Sequence, residues 1–139
     1  MQTRKPVDVM RRVVIDTNVI VSSTFSELGN PAKIMYLCFS DKLQMVYSTE
    51  IHDEYKKVLS YKRLNISDDI QTDILRAIEE SGALIEPAIS TIQMPDESDR
   101  VFYDAAKTDN ATLITGNKKH YPDEPFILTP TDFLEKIEK

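Results

Sequence analysis

One cysteine, three glycines and no long apolar run set the first limits on this chain of 139 residues. Cys38 stands alone, so no internal disulfide can form, and "IMYLCFS" around it reads as the setting of an inert core thiol. A reducing, cytoplasmic setting is the expectation. No stretch approaches the roughly 18 apolar residues that a membrane-crossing helix needs, so no membrane partner is expected. The opening "MQTRKPVDVMRR" is basic but carries neither an apolar core nor a small-residue cleavage site, and no signal peptide is read there. Residues 1–11 are expected to form a flexible basic segment before a core from about 12 to 136. With few glycines and no repeats, the whole chain 1–139 reads as one domain, long enough to bury a core without staples.

Acidic residues outnumber basic ones, 23 against 17. The net charge of −6 argues against a protein that coats nucleic acid by bulk electrostatics. It leaves room for a nuclease, which can gather carboxylates in one cleft and let bound cations reverse the local field.

What is present alternates between strand-like and helix-like runs. Val13–Ile15 is a short β-branched run, the pattern of a strand covered on both faces in a parallel sheet. The loop "SSTFSELG" is expected next, then a helix capped by Asn30 with Pro31 at its first position, running to about Ser40. "LQMVYS" reads as a second strand. Ser48 caps a helix through about Leu59, and Ser67 with Asp68 and Asp69 caps another through about Ser81. "ALIEP" is a third candidate strand. Pro95 and Asp96 open a helix through about Thr108, "ATLIT" is a fourth strand, and "FIL" is a short edge strand. Thr129, Pro130 and Asp132 start a last helix. Strands separated by helices imply βαβ units and a parallel sheet. The class is α/β.

In such a sheet, ligand sites lie beyond the carboxyl ends of the strands. Asp16, Thr17 and Asn18 follow the first strand, and Thr115, Gly116 and Asn117 follow the fourth, so two strands deliver polar groups to one edge. An isolated "DTN" is as readily a turn or helix cap as a ligand. In "STEIHDEYKKVLSY", Glu54 borders the apolar stripe of Ile51, Tyr55, Val58 and Leu59, whereas Asp53 lies nearly opposite. A solvated acid paired with Lys57 or Lys62 is the plainer reading of Glu54. In "PDESDRVFYDAAKT", Asp99 borders the stripe, while Asp104 lies further out, where a surface acid is the commoner case. Asp96 is a natural cap with Asp99 as its partner. Together, Asp16, Glu54, Asp99 and Asn117 describe oxygen ligands brought to one edge from four elements. Hard donors without a Cys or His cluster suit Mg²⁺ or Mn²⁺, one or two ions, and phosphodiester cleavage by metal-activated water.

The segments "VVIDTNVIVS", "STEIHDEYKKVL", "DESDRVFYDAA" and "ATLITGNKKHYP", followed by "ILTPTDFLEK", resemble the PIN-domain family, in particular its VapC-like group of bacterial toxin–antitoxin toxin components. The resemblance runs from Arg12 to Lys136. It implies an α/β/α sandwich around a parallel sheet of four to five strands, and a divalent-metal-dependent endoribonuclease acting on single-stranded RNA. It further implies Asp16, Glu54 and Asp99 as acidic metal ligands, with Asp96 as an alternative register, Thr17 and Asn18 shaping the turn, and Asp104 in support. Many relatives carry Asp where this chain has Asn117; an amide oxygen can ligate Mg²⁺ but adds no charge. Lys118, Lys119 and His120 beside it could grip RNA phosphate or form a solvated basic loop. A cognate antitoxin and a homodimer are the partners implied. The alternative to the toxin is a PIN-like module that binds RNA or protein with little or no catalysis.

Overall fold

The structure, a computed structural model, describes residues 10–138. Residues 1–9, most of the expected flexible segment, lie outside the described residues. Arg11 already pairs in the sheet, one residue ahead of the expected core boundary.

Strand β1 (Arg11–Ile15) ends in Val13, Val14 and Ile15, all wholly buried, as coverage on both faces requires. It pairs in parallel with β2 (Leu43–Tyr47) on one side and with β4 (Thr112–Ile114) on the other. With β3 (Ala83–Leu84) and β5 (Ile127–Leu128) at the edges, the sheet has five parallel strands in the order β3-β2-β1-β4-β5. The third strand is shorter than "ALIEP". Ile85 still donates to the Tyr47 carbonyl at 2.8 Å, but Pro87 has no N–H to continue the ladder.

Among the described residues, six helices cover the sheet: α1 (Thr17–Phe25), α2 (Asn30–Phe39), α3 (Thr49–Leu59), α4 (Asp68–Ser81), α5 (Arg100–Asp109) and α6 (Pro130–Ile137). Ser48, Ser67 and Thr129 cap α3, α4 and α6 as expected, accepting from the N–H groups of Ile51, Ile70 and Asp132 at 3.2, 3.2 and 3.1 Å. Gly82 closes α4 where a side chain has no room: a Cβ there would meet the Ile78 carbonyl at 2.6 Å and the Tyr47 ring at 2.8 Å.

Three local expectations are corrected. "SSTFSELG" is not all loop, since α1 continues through Phe25. Its Ser23 and Thr24 hydroxyls fold back on the carbonyls of Ile20 and Val21 at 2.6 and 2.7 Å, so these polar side chains are satisfied within the helix itself. Asn30 is the first residue inside α2, not its cap, and the cap position is Gly29. The Asn30 amide instead donates to Thr131 Oγ1 at 2.8 Å, tying α2 to α6. Finally, Asp96 caps a 3-10 turn, Glu97–Asp99, and α5 begins only after it.

The steps β1 to β2 to β3 run one way across the sheet, and the step to β4 reverses. Right-handed crossovers then put α2 and α4 on one face and α5 on the other, with α3 touching both α4 and α5. Accordingly α5 packs across β1, β2 and β4, while α2 and α4 lie on β2 and α6 joins α2. This is a three-layer α/β/α sandwich. Its reversal of direction falls between β1 and β4, where a doubly wound sheet opens its ligand crevice.

Candidate active site

Register brings Asp16 and Thr115 side by side, because Ile15 of β1 is aligned with Ile114 of β4. The Asp16 N–H donates to the Ile114 carbonyl at 2.9 Å and extends the parallel ladder by one bond. Asp16 occupies the cap position of α1, yet its carboxylate makes no capping bond. Its Oδ2 instead accepts from Thr115 Oγ1 and from the Tyr121 hydroxyl, each at 2.8 Å. Both readings of "DTN" therefore meet in one residue: the backbone starts a helix and the side chain turns toward β4. Asp16 is only 5% exposed. Asn18 Oδ1 accepts from the Gly116 N–H at 2.9 Å, an approach close enough that a Cβ at Gly116 would come within 3.2 Å of it. Thr17 is buried and its hydroxyl is without a partner.

Asp99 arrives from the opposite side, at the end of the 3-10 turn before α5. Its side chain is 14% exposed, and Oδ2 lies 3.2 Å from His120 Nδ1 without the alignment of a hydrogen bond. Burial first, then the charges of Asp16 and Asp96, push the Asp99 carboxyl up to about 6 against the opposing pull of His120. Asp96, by contrast, is held below the usual carboxylate value, since its Oδ1 accepts from Ser98 Oγ at 2.8 Å and Ser98 N–H at 3.0 Å. Asn117 donates its N–H to Thr115 Oγ1 at 3.0 Å, and its side-chain amide nitrogen lies 2.9 Å from His120 Nε2. Among the described residues, Asp96, Asp99 and His120 form a group in which one carboxylate or imidazole ligand atom from each lies within 4.8 Å of the others.

Glu54 is half-buried on α3, as its border position predicts, and stands outside that group. Its neighbour Tyr55 is wholly buried and donates its hydroxyl to the Ile15 carbonyl at 2.5 Å, anchoring α3 beside the end of β1. Lys118 and Lys119 are exposed on the 3-10 turn Lys118–His120. Asp104 departs from the expected surface acid: it is 5% exposed. Its Oδ2 accepts from the Ser90 N–H at 3.2 Å, whereas Oδ1 is buried without a partner. Arg100 secures the same segment through the Ser90 carbonyl at 2.9 Å and the Ile92 carbonyl at 2.5 Å. The angular estimate failed because the crossover between β3 and α5 covers that side of the helix.

Tyr121 is the residue that sequence reasoning missed. It is buried, it bonds Asp16, and burial with the charges of Asp16 and Asp99 raises its hydroxyl pKa, so it stays a donor. The available signal was an aromatic hydroxyl in "KHYP", directly after the polar turn.

A family model described as a PIN domain matches residues 12–119. The chain belongs to the PIN-domain family. PIN domains are generally nucleases. This PIN domain is 33% identical over 143 aligned positions to the uncharacterized protein MJ1680 of Methanocaldococcus jannaschii, with 92% of each chain covered. Its fold is shared with a chain of VapBC2 from Rickettsia felis, crystallised with a DNA fragment from their promoter. That match has a TM-score of 0.56 at 15% identity, covering 85% of this chain and 96% of the other. PAE2754 from Pyrobaculum aerophilum is similar as well, with a TM-score of 0.59, 12% identity, and coverage of 93% and 90%. No helix of the described residues is long and apolar enough to cross a membrane.

The residues of this edge fit a divalent cation. Asp99 Oδ2 is buried without a hydrogen bond, and the Asp16 charge opposes its ionisation, so a cation would relieve both costs.

Proposed function

We propose that this PIN domain is a divalent-metal-dependent endoribonuclease that cleaves single-stranded RNA, serving as the toxin of a toxin–antitoxin pair. The observation that carries the reading is the pairing of two acids at the β1–β4 crevice, buried Asp16 and partly buried Asp99, whose carboxyl is pushed up by burial and then by the Asp16 charge. Two acids held in that relation are relieved by a positively charged ligand. Asp16, Glu54 and Asp99 are the residues that would hold Mg²⁺ or Mn²⁺. A bound divalent cation supplies Lewis-acid activation of water and neutralises charge on a scissile phosphate.

The chain's own contributions follow from the contacts described. Thr115 and Tyr121 fix one oxygen of Asp16, which leaves the carboxylate a single orientation. Tyr55 holds α3, and with it Glu54, against the end of β1. Lys118 and Lys119, exposed on the turn Lys118–His120, would meet backbone phosphate as a local basic pair that offsets the acidic character of the chain. The likeness to a VapBC2 chain supports an antitoxin as partner. A homodimer acting in the cytoplasm completes the reading. A binding module with a weak site is the second reading, favoured by the uncharged Asn117.

The test is cleavage of a single-stranded RNA with Mn²⁺, with and without chelator, by the wild type and by Asp16→Asn. Cleavage that needs the cation and disappears in a folded Asp16→Asn protein is the expected result. Undiminished cleavage by that variant would overturn the assignment, and wild-type Mn²⁺ binding without cleavage would favour the module.

A further inference from the structure

We propose that His120 is itself a metal ligand, sharing a cation with Asp96 and Asp99, and that Asn117 is the residue that orients its ring. This rests on the divalent-metal reading above and reassigns the amide at position 117. Asn117 then holds the ligand that stands in for the missing carboxylate, and is not a ligand itself.

Geometry is the first support. Ligand atoms about 2.1 Å from one cation lie roughly 3.0 to 4.2 Å from each other, according to the angle between them. His120 Nδ1 and Asp99 Oδ2 are 3.2 Å apart, and one ligand atom from each of Asp96, Asp99 and His120 lies within 4.8 Å of the other two. The second support is that the 3.2 Å contact is not an aligned hydrogen bond, so Asp99 Oδ2 is left buried without a donor. Two lone pairs converging on a common point describe that contact better than a shared proton does.

Ring orientation is the third. Ligation through Nδ1 needs the imidazole proton on Nε2, and Nε2 has a partner at 2.9 Å, the Asn117 side-chain amide. A half-turn of that amide presents Oδ1 in place of Nδ2, and the oxygen then accepts from Nε2–H. This is the arrangement by which ligating histidines have their tautomer and angle fixed. Asn117 is tied in turn to the Asp16 shell, because its N–H donates to Thr115 Oγ1, whose hydroxyl donates to Asp16. The turn between them is closed by the His120 N–H on the Asn117 carbonyl at 3.2 Å.

An imidazole among the donors has a chemical consequence. Carboxylates alone suit Mg²⁺, whereas a nitrogen ligand moves preference toward first-row transition cations. This site should take Mn²⁺ ahead of Mg²⁺.

The deciding measurement is electron spin echo modulation on Mn²⁺ bound to the full-length protein, which reads ¹⁴N coupling from a coordinated imidazole without reference to cleavage. Wild type should show that coupling. His120→Gln should still bind Mn²⁺ but lose the coupling, and His52→Gln should keep it. Asn117→Ala should weaken Mn²⁺ binding about 10- to 100-fold, as loss of an orienting partner does. Bound Mn²⁺ without nitrogen coupling, or coupling that survives His120→Gln, overturns the inference and leaves the nuclease reading standing. Absence of any bound Mn²⁺ in wild type overturns both.

Discussion

Tyr121 donates its hydroxyl to Asp16 Oδ2 at 2.8 Å, joining residues 105 apart in sequence across the carboxyl ends of β1 and β4. The bond is buried and its acceptor is an acid, the class of hydrogen bond worth about 1.5–3 kcal/mol. Tyr121→Phe keeps the ring and removes only that donor. Thr115 remains on the same oxygen, so we expect a loss of about 1–2 kcal/mol in urea unfolding. Mn²⁺ binding should weaken in the same variant, because Asp16 is then held by one donor. Unchanged affinity would show that Tyr121 serves the fold alone.

Tyr55 makes the corresponding contact for Glu54. Its hydroxyl donates to the Ile15 carbonyl at 2.5 Å with the ring wholly buried, packed 6.2 Å between centroids from Phe102. Tyr55→Phe leaves a buried carbonyl without its donor, at a cost of about 1–3 kcal/mol. The loss should appear as a lower urea midpoint with an unchanged slope. RNA cleavage should fall further than the stability loss explains, because α3 carries Glu54. Full activity at a temperature where the variant is folded would separate Glu54 placement from this contact.

The elements legible from sequence are those whose signals are local. Ser48, Ser67 and Thr129 announced their helices because a cap needs only its own first turn, and Val13–Ile15 announced a buried strand because burial on both faces leaves no alternation. The hydroxyls of Ser23 and Thr24 concealed α1, since a run of such residues is polar by composition and its bonds to the Ile20 and Val21 carbonyls are invisible in the sequence. At the crevice, the acids Asp16 and Asp99 were readable from strand ends and helix borders. The links between them were not. Thr115 and Tyr121 meet Asp16 from 99 and 105 residues away, and contacts that remote leave no spacing to read. Asp104 misled for the opposite reason: one helix cannot show which loop will cover its outer side.

That covering loop offers its own prediction. Arg100 holds it by Nη contacts to Ser90 and Ile92, and braces itself on Glu97 at 2.8 and 2.6 Å. Between β3 and the 3-10 turn the chain has no regular structure of its own, so these side-chain bonds do much of its fastening. Arg100→Ala should make residues 85–95 several-fold more susceptible to limited proteolysis while the sheet stays protected from hydrogen exchange. Equal cleavage rates for the two proteins would show that packing of Ile85 and Ile92 on the core holds the segment without Arg100.

Asp99 gives the fold a pH dependence whose sign is unusual for a carboxylate. Its value rises from 3.8 in the reference state to about 6 in the folded protein, mainly through burial and then through the charge of Asp16. A carboxyl that holds its proton more tightly when folded stabilises the protein most below about pH 4. That contribution falls as the pH climbs to about 6 and stays lost above it. In the presence of chelator, Asp99→Asn should therefore be more stable than wild type at pH 7. The gain should be on the order of 1–2 kcal/mol, since the side chain still meets some solvent, and it should vanish near pH 4. Adding Mn²⁺ should reverse the order at pH 7, because only the wild type keeps the carboxylate that binding stabilises. Thermal unfolding of both proteins at pH 4 and pH 7, with chelator and with Mn²⁺, measures all of this. An Asp99→Asn protein less stable than wild type at pH 7 without metal would mean that Asp99 is held by favourable contacts and not by repulsion awaiting a cation.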